Sequence, residues 1–229
     1  MHYPRIIAHR CGGDLAMENS LAGLLAAKQA GCRAVEFDVM LTADGVPILM
    51  HDETLDRTTR CRGFVAAKTF EQIRACDPRV PTLGEAIGMC ERLGLWANVE
   101  LKPAAGHEVE TGTVVGRWLA RNWHGNGVVS SFSEKSALAA RHELPQAAFA
   151  LLCDVLPDDW QQRMQRLGAV AVHLDARRVD EAAARQLDAA GIAWAAWTVD
   201  ETALAERLFA LGAAAIFTDR PERMIDAFA

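Results

Sequence analysis

Five times along this chain a helical pattern stops on a glycine and an apolar, strand-forming run begins within a few residues, at Gly31, Gly94, Gly168, Gly191 and Gly212. Glycine just past the last apolar position reads as a helix end, because it takes the left-handed backbone there without steric cost. Strands separated by helices of this length imply parallel pairing through helical crossovers. At 229 residues and 51% apolar composition, the chain has the length of one α/β barrel and ample material for its core.

The elements follow from the N-terminus. Ile6-Ile7-Ala8-His9-Arg10 reads as a short buried strand, and Asn19 or Ser20 caps a helix with the stripe Leu21, Leu24 and Leu25. Thr69 with Gln72, and Thr82 with Glu85, have the spacing of capping boxes that open two further helices. Strands are expected at Trp96–Lys102, Gly127–Phe132, Ala148–Cys153, Ala169–Asp175, Ile192–Val199 and Ala214–Thr218. Helices between them start from Ser133, Pro157, Asp180 and Asp200, and a last one starts near Pro221.

The stretch from Ala34 to Asp52 has a different character. Asp44-Gly45 favours a tight reversal between two extended runs. In the first run Val35, Phe37, Val39 and Leu41 share one face, while Glu36 and Asp38 share the other. Two adjacent acids on one strand face repel each other, and a bridging divalent cation relieves that repulsion. An antiparallel return over Val46–His51 would bring His51 roughly opposite Glu36. With that run set aside as a hairpin partner, eight parallel strands remain, the number of a closed TIM-type (β/α)8 barrel in a single domain over residues 1–229. A doubly wound sheet is the rival, but its G-x-G-x-x-G loop is absent.

Strand ends carry the polar residues that a barrel would collect: His9 and Arg10, Glu36 and Asp38, His51, Glu100 and Lys102, Trp197, Asp219 and Arg220. Three carboxylates suit a hard cation bound through oxygen, two histidines suit paired acid and base, and an Arg and a Lys suit a phosphate. Charge favours a metal. Glu36, Asp38 and Glu100 against Arg10 and Lys102 leave one net negative charge, which repels a phosphodiester; a dication reverses that sign. His107, His124 and His142 read as solvated, and His173 as either a core histidine or a pocket residue.

At these positions the sequence resembles the glycerophosphodiester phosphodiesterase family, in particular its short cytoplasmic bacterial members. IIAHR with ENS, AVEFDV, LTADGVPILMHDETLDRTT, VPTLGEAI, NVELK, VVSSF, WTVD and IFTDRP follow the family's order nearly end to end. The resemblance implies a TIM-type barrel and metal-dependent hydrolysis of glycerophosphodiesters to sn-glycerol 3-phosphate and an alcohol, a step of lipid and glycerol metabolism. It implies catalytic His9 and His51, a divalent metal on Glu36, Asp38 and Glu100, phosphate contacts from Arg10 and Lys102, and Trp197 beside the pocket. Mg²⁺ is the first choice for an all-oxygen site, with Ca²⁺ as the alternative. Water or the neighbouring glycerol hydroxyl could be the nucleophile. A lysophospholipase D-like activity on the same site, which would need an apolar rim at the mouth, is the alternative. A non-catalytic metal and phosphate binder is a third reading, against which no acid or histidine is missing.

Cys11 departs from the family's glycine after H-R. It is expected to take a negative φ beside Arg10 and to turn its sulfur away from the metal, because a soft thiol suits an oxygen-seeking ion poorly. Asp200 departs from the usual Asn and adds a charge near the mouth. The short segment after Asp52 leaves no room for a large cap, so an open pocket is expected.

Composition bounds the remaining expectations. A net charge of −6 without a basic block argues against nucleic acid as a partner. No apolar run approaches the ~18 residues of a membrane span, so no stable membrane anchor is expected. MHYPRII enters a strand too soon for a signal peptide, and six cysteines without C-x-x-C spacing suit free thiols in a cytoplasmic protein. The resemblance implies a small-molecule glycerophosphodiester as partner, and a homodimer is left open.

Overall fold

The computed structural model describes residues 3–124 and 126–228. Its sheet runs β1 (Ile6–Ala8), β2 (Ala34–Leu41), β3 (Pro47–Leu49), β4 (Trp96–Leu101), β5 (Gly127–Ser131), β6 (Phe149–Cys153), β7 (Ala171–Asp175), β8 (Ala193–Trp197) and β9 (Ala215–Thr218). All pairings are parallel except β2 with β3, and β1 pairs with both β9 and β2, which closes the barrel. The expected TIM-type barrel with a hairpin between its second and third parallel strands is present. One edge of β2 is shared. Ala34 and Val35 pair with β1, and from Val39 onward β3 takes over.

The helices are α1 (Leu21–Gln29), α2 (Phe70–Cys76), α3 (Leu83–Leu93), α4 (Glu108–Asn122), α5 (Glu134–Glu143), α6 (Trp160–Leu167), α7 (Glu181–Ala189), α8 (Thr202–Ala210) and α9 (Pro221–Phe228). Both capping boxes form, at Thr69 with Gln72 and at Thr82 with Glu85. The five helix-ending glycines all have positive φ, from 63° at Gly94 to 97° at Gly212. Leu25 is exposed, unlike its expected place in the α1 stripe; Leu24 and Ala27 bury the face it would need. Asp200 does not cap α8. Its carboxylate instead accepts from the Asp219 N–H at 2.8 Å and the Thr218 hydroxyl at 3.1 Å, and the cap position falls to Glu201.

Strand alternation sorts side chains into two compartments. Val35, Phe37, Val39 and Leu41 of β2 face the helix layer with Leu24 and Ile87. The barrel interior holds Tyr3, Ile7, Trp96 and Phe217 among small partners such as Ala150, Ala171 and Ala195. The aromatic plug fills the lower barrel and leaves the upper end, where the strands terminate, to polar side chains. Among the described residues no helix is long and apolar enough to cross a membrane, and all six cysteines are free.

Candidate active site

The site begins where β1 stops. The strand ends at Ala8, two residues short of the expected Arg10, and His9–Cys11 forms a single 3-10 turn. Arg10 (φ 47°) and Cys11 (φ 80°) both lie in the left-handed region, so the expected negative φ at Cys11 does not hold. The reason is geometric. The reversal brings the Arg10 N–H to Glu36 Oε2 at 2.8 Å and sends the Cys11 side chain outward, fully buried beside Gly23 of α1. Cys11 is accordingly not part of the acidic cluster. Gly13 follows at φ 58°, where an added Cβ would lie 2.5 Å from the Asp219 carbonyl oxygen, so this loop seats directly on the end of β9.

Glu36 and Asp38 point inward from β2, and Glu100 points inward from the neighbouring β4 in register with Asp38. Their carboxylate oxygens lie within 4.8 Å of one another. Burial, then the charge of Asp38, raises the pKa of Glu36 and of Glu100, which measures how poorly an unneutralised cluster is solvated. Asp38 accepts from Asn19 Nδ2 at 2.8 Å, and Lys102 Nζ lies 2.9 Å from Glu100 and 3.7 Å from Asp38. Glu36 Oε1 is buried without a hydrogen-bond partner among the described residues. An orphaned carboxylate oxygen beside two other acids fits a hard divalent cation.

Two imidazoles flank the cluster. His9 Nδ1–H donates to Asp219 Oδ1 at 2.8 Å, which leaves Nε2 facing Glu36 at 3.9 Å. Burial alone would lower the His9 pKa, but the Asp219 hydrogen bond and the charges of Glu36 and Asp219 outweigh it and raise it to about 9. His51 Nδ1–H donates to Asp52 Oδ1 at 2.7 Å, and burial lowers its pKa despite the carboxylates nearby. His51 lies two residues past the end of β3, and continuing the β2–β3 register would place it opposite Phe37, one residue from the expected Glu36.

The residues named from the sequence converge. His9, Arg10, Glu36, Asp38, His51, Glu100, Lys102 and Trp197 all line one cavity of about 100 Å³. Phe132 stands edge-on to Trp197, with ring centroids 5.4 Å apart. His173 is both things the sequence allowed. It lines the cavity floor and is a satisfied core histidine, bonded through Nε2 to the Tyr3 hydroxyl at 2.9 Å. His107, His124 and His142 are exposed, as expected. Sequence reasoning gave no site role to Asn19, Asp52, Phe132 or Asp219. All four stand inside the quoted motifs ENS, LTADGVPILMHDETLDRTT, VVSSF and IFTDRP, so position alone marked them.

Comparison with known proteins covers the chain as a whole. Residues 9–223 match the Glycerophosphoryl diester phosphodiesterase family. A glycerophosphodiester phosphodiesterase of Caldanaerobacter subterraneus subsp. tengcongensis is 29% identical over 237 residues, spanning 96% of each chain. The solved structure of an Oleispira antarctica phosphodiesterase, in complex with the product sn-glycerol-3-phosphate, aligns with a TM-score of 0.93 at 32% identity, over 98% of this chain and 96% of that one. A glycerophosphodiester phosphodiesterase of Thermotoga maritima shares the fold, with a TM-score of 0.81 at 21% identity over 99% of each.

Proposed function

The chain belongs to the glycerophosphoryl diester phosphodiesterase family, and we propose that it hydrolyses glycerophosphodiesters to sn-glycerol 3-phosphate and an alcohol. One observation carries the reading: two imidazoles, each backed at Nδ1 by a carboxylate, flank a cluster of three acids in one cavity. Backing at Nδ1 fixes the tautomer and presents Nε2 to a substrate.

Glu36, Asp38 and Glu100 would hold a divalent cation, Mg²⁺ or Ca²⁺, and when bound it supplies charge stabilisation at a phosphoryl oxygen. Arg10 and Lys102 bring the remaining positive charge to the phosphate. With water as the nucleophile, His9 takes its proton at Nε2, and His51, doubly protonated, gives its Nε2 proton to the departing alkoxide. With the adjacent glycerol hydroxyl as the nucleophile, the same two transfers release the alcohol and leave a cyclic phosphate, which water then opens with the two histidines exchanging roles. The raised pKa of His9 belongs to carboxylates carrying their full charge; a dication beside Glu36 opposes it, so it does not decide between acid and base. Trp197 and Phe132 form the apolar wall against which a glycerol or head group would lie.

A second reading has one observation behind it. Met17 and Val155 are exposed in loops that follow β1 and β6, and Phe132 is exposed at the end of β5, which puts apolar side chains on the mouth side. That arrangement suits a lysophospholipid on the same machinery. Incubation with glycerophosphocholine, glycerophosphoethanolamine and lysophosphatidylcholine, with and without chelator, separates the readings. Release of sn-glycerol 3-phosphate from the first two is expected; turnover of the lysophospholipid alone would favour the second.

A further inference from the structure

We propose that Arg57 is a positioning residue for both sides of the active site, holding the carboxylate behind His51 and the carboxylate beside Arg10 on one guanidinium. Arg57 does not line the cavity, and its side chain is about half exposed. Its Nε and Nη2 donate to Asp52 Oδ2 and Oδ1 at 2.6 and 3.0 Å. Its Nη1 and Nη2 donate to Glu18 Oε2 and Oε1 at 2.7 Å each. Asp52 accepts in turn from His51, and Glu18 Oε2 accepts from Arg10 Nη1 at 3.1 Å. One planar fork thus joins two segments far apart in the sequence, the loop after β1 and the stretch after β3. A single exposed ion pair would carry little, but two bidentate pairs on one rigid group set the distance between those segments.

The chemistry of each arm differs. Toward His51, the guanidinium keeps Asp52 ionised, holding its carboxyl well below the usual range, so that it remains an acceptor for Nδ1–H. Toward Arg10, it holds Glu18 in the position from which that carboxylate fixes the Arg10 guanidinium. Burial opposes ionisation of Glu18, and the Arg57 hydrogen bonds together with the charges of Arg10 and Arg57 and the Arg10 hydrogen bond outweigh it. Without Arg57, two acids would face each other across the loops, and neither would keep its orientation.

The inference rests on His51 acting in proton transfer, so its test includes a readout that needs no turnover. The protein is compared with Arg57→Ala, Arg57→Lys and a control, Arg62→Ala, whose exposed side chain among the described residues reaches Asp56. With glycerophosphocholine, Arg57→Ala is expected to lose about 10-fold in kcat, a fraction of what a whole acid or base supplies, with a smaller change in KM. Arg57→Lys should recover part of the loss, millimolar guanidinium should restore Arg57→Ala, and Arg62→Ala should match the parent. Nitrogen-15 spectra recorded at a pH where His51 is neutral should show it protonated at Nδ1 in the parent and mixed between tautomers in Arg57→Ala. That result stands even if the parent turns over no glycerophosphodiester, which would overturn the proposed substrate and not this role. An unchanged tautomer overturns it, as does a loss confined to KM. Should Arg57→Ala fail to fold, Arg57→Lys carries both readouts.

Discussion

His9 and Asp219 stand 210 residues apart in the chain and 2.8 Å apart in the site. The first barrel strand delivers the imidazole and the last delivers the carboxylate that orients it, because β1 and β9 are neighbours across the closing seam. His51 is oriented by a wholly local partner, the adjacent Asp52. The two histidines therefore reach the same presentation of Nε2 by opposite routes, one tertiary and one local.

His9→Ala and His51→Ala should each lose at least ~10²-fold in kcat on a glycerophosphodiester while remaining folded. The roles separate with a diester whose leaving group is a nitrophenolate, which departs without a proton. There His51→Ala should regain most of its rate and His9→Ala should not. Recovery of both variants, or of His9→Ala alone, would reverse or remove the assignment.

Turnover should stop in excess chelator and return on adding Mg²⁺ or Ca²⁺. The same ions should raise the Tm of chelator-treated protein, since a ligand bound only by the folded state stabilises it. The Tm response should vanish in Glu36→Gln combined with Glu100→Gln, because the oxygen cluster has then lost two of its three charges. Full activity in chelator would end the metal-dependent reading.

Cys11 holds φ 80° while fully buried. Left-handed backbone costs a residue with a Cβ about 1–2 kcal/mol, and removing the thiol costs about 1 kcal/mol of burial. Cys11→Ala keeps the first cost and adds the second, whereas Cys11→Gly exchanges one for the other. Thermal denaturation should rank Cys11→Gly above Cys11→Ala, with metal affinity the same in both and kcat within a few-fold of the parent. The opposite rank would mean that the backbone there is not strained.

His173 is buried beneath the cavity, and that burial lowers its pKa to about 3. Free histidine titrates near 6.5, so between about pH 6.5 and 3 the unfolded chain binds a proton that the folded chain refuses. Its contribution to stability is full above pH 6.5 and falls by up to about 1.4 kcal/mol per pH unit below it. Urea unfolding at pH 7, 6 and 5 in chelator should show that slope, and His173→Gln should flatten it. Equal slopes would mean that water or a rearrangement admits the proton.

Much of the barrel was legible because its signals are local. The glycines that end helices, the two capping boxes and the Asp44-Gly45 turn each need only neighbours, and all formed as expected. The alternation of β2 was enough to separate Glu36 and Asp38 from the outward apolar face. What escaped was decided across the fold. Cys11 takes its conformation because the turn must bring Arg10 N–H to Glu36, a contact with another strand. Asp200 leaves its helix because the Asp219 N–H claims its carboxylate. The acid behind His9 and the bridge made by Arg57 join separate loops, and no periodicity in one segment encodes the position of another.

The seam between β1 and β9 also orders events during synthesis. The ribosome releases His9 ahead of β9, and 210 residues ahead of the Asp219 that follows it. Until β9 docks, both β1 and β8 present open edges, the feature that exposes a growing chain to mispairing. A polypeptide arrested between Glu100 and Ala215 holds the three clustered acids and both histidines, yet lacks the carboxylate that orients the first of them. In the proposed mechanism, the orientation of His9 for proton transfer therefore arrives only with β9 and the residue that follows it.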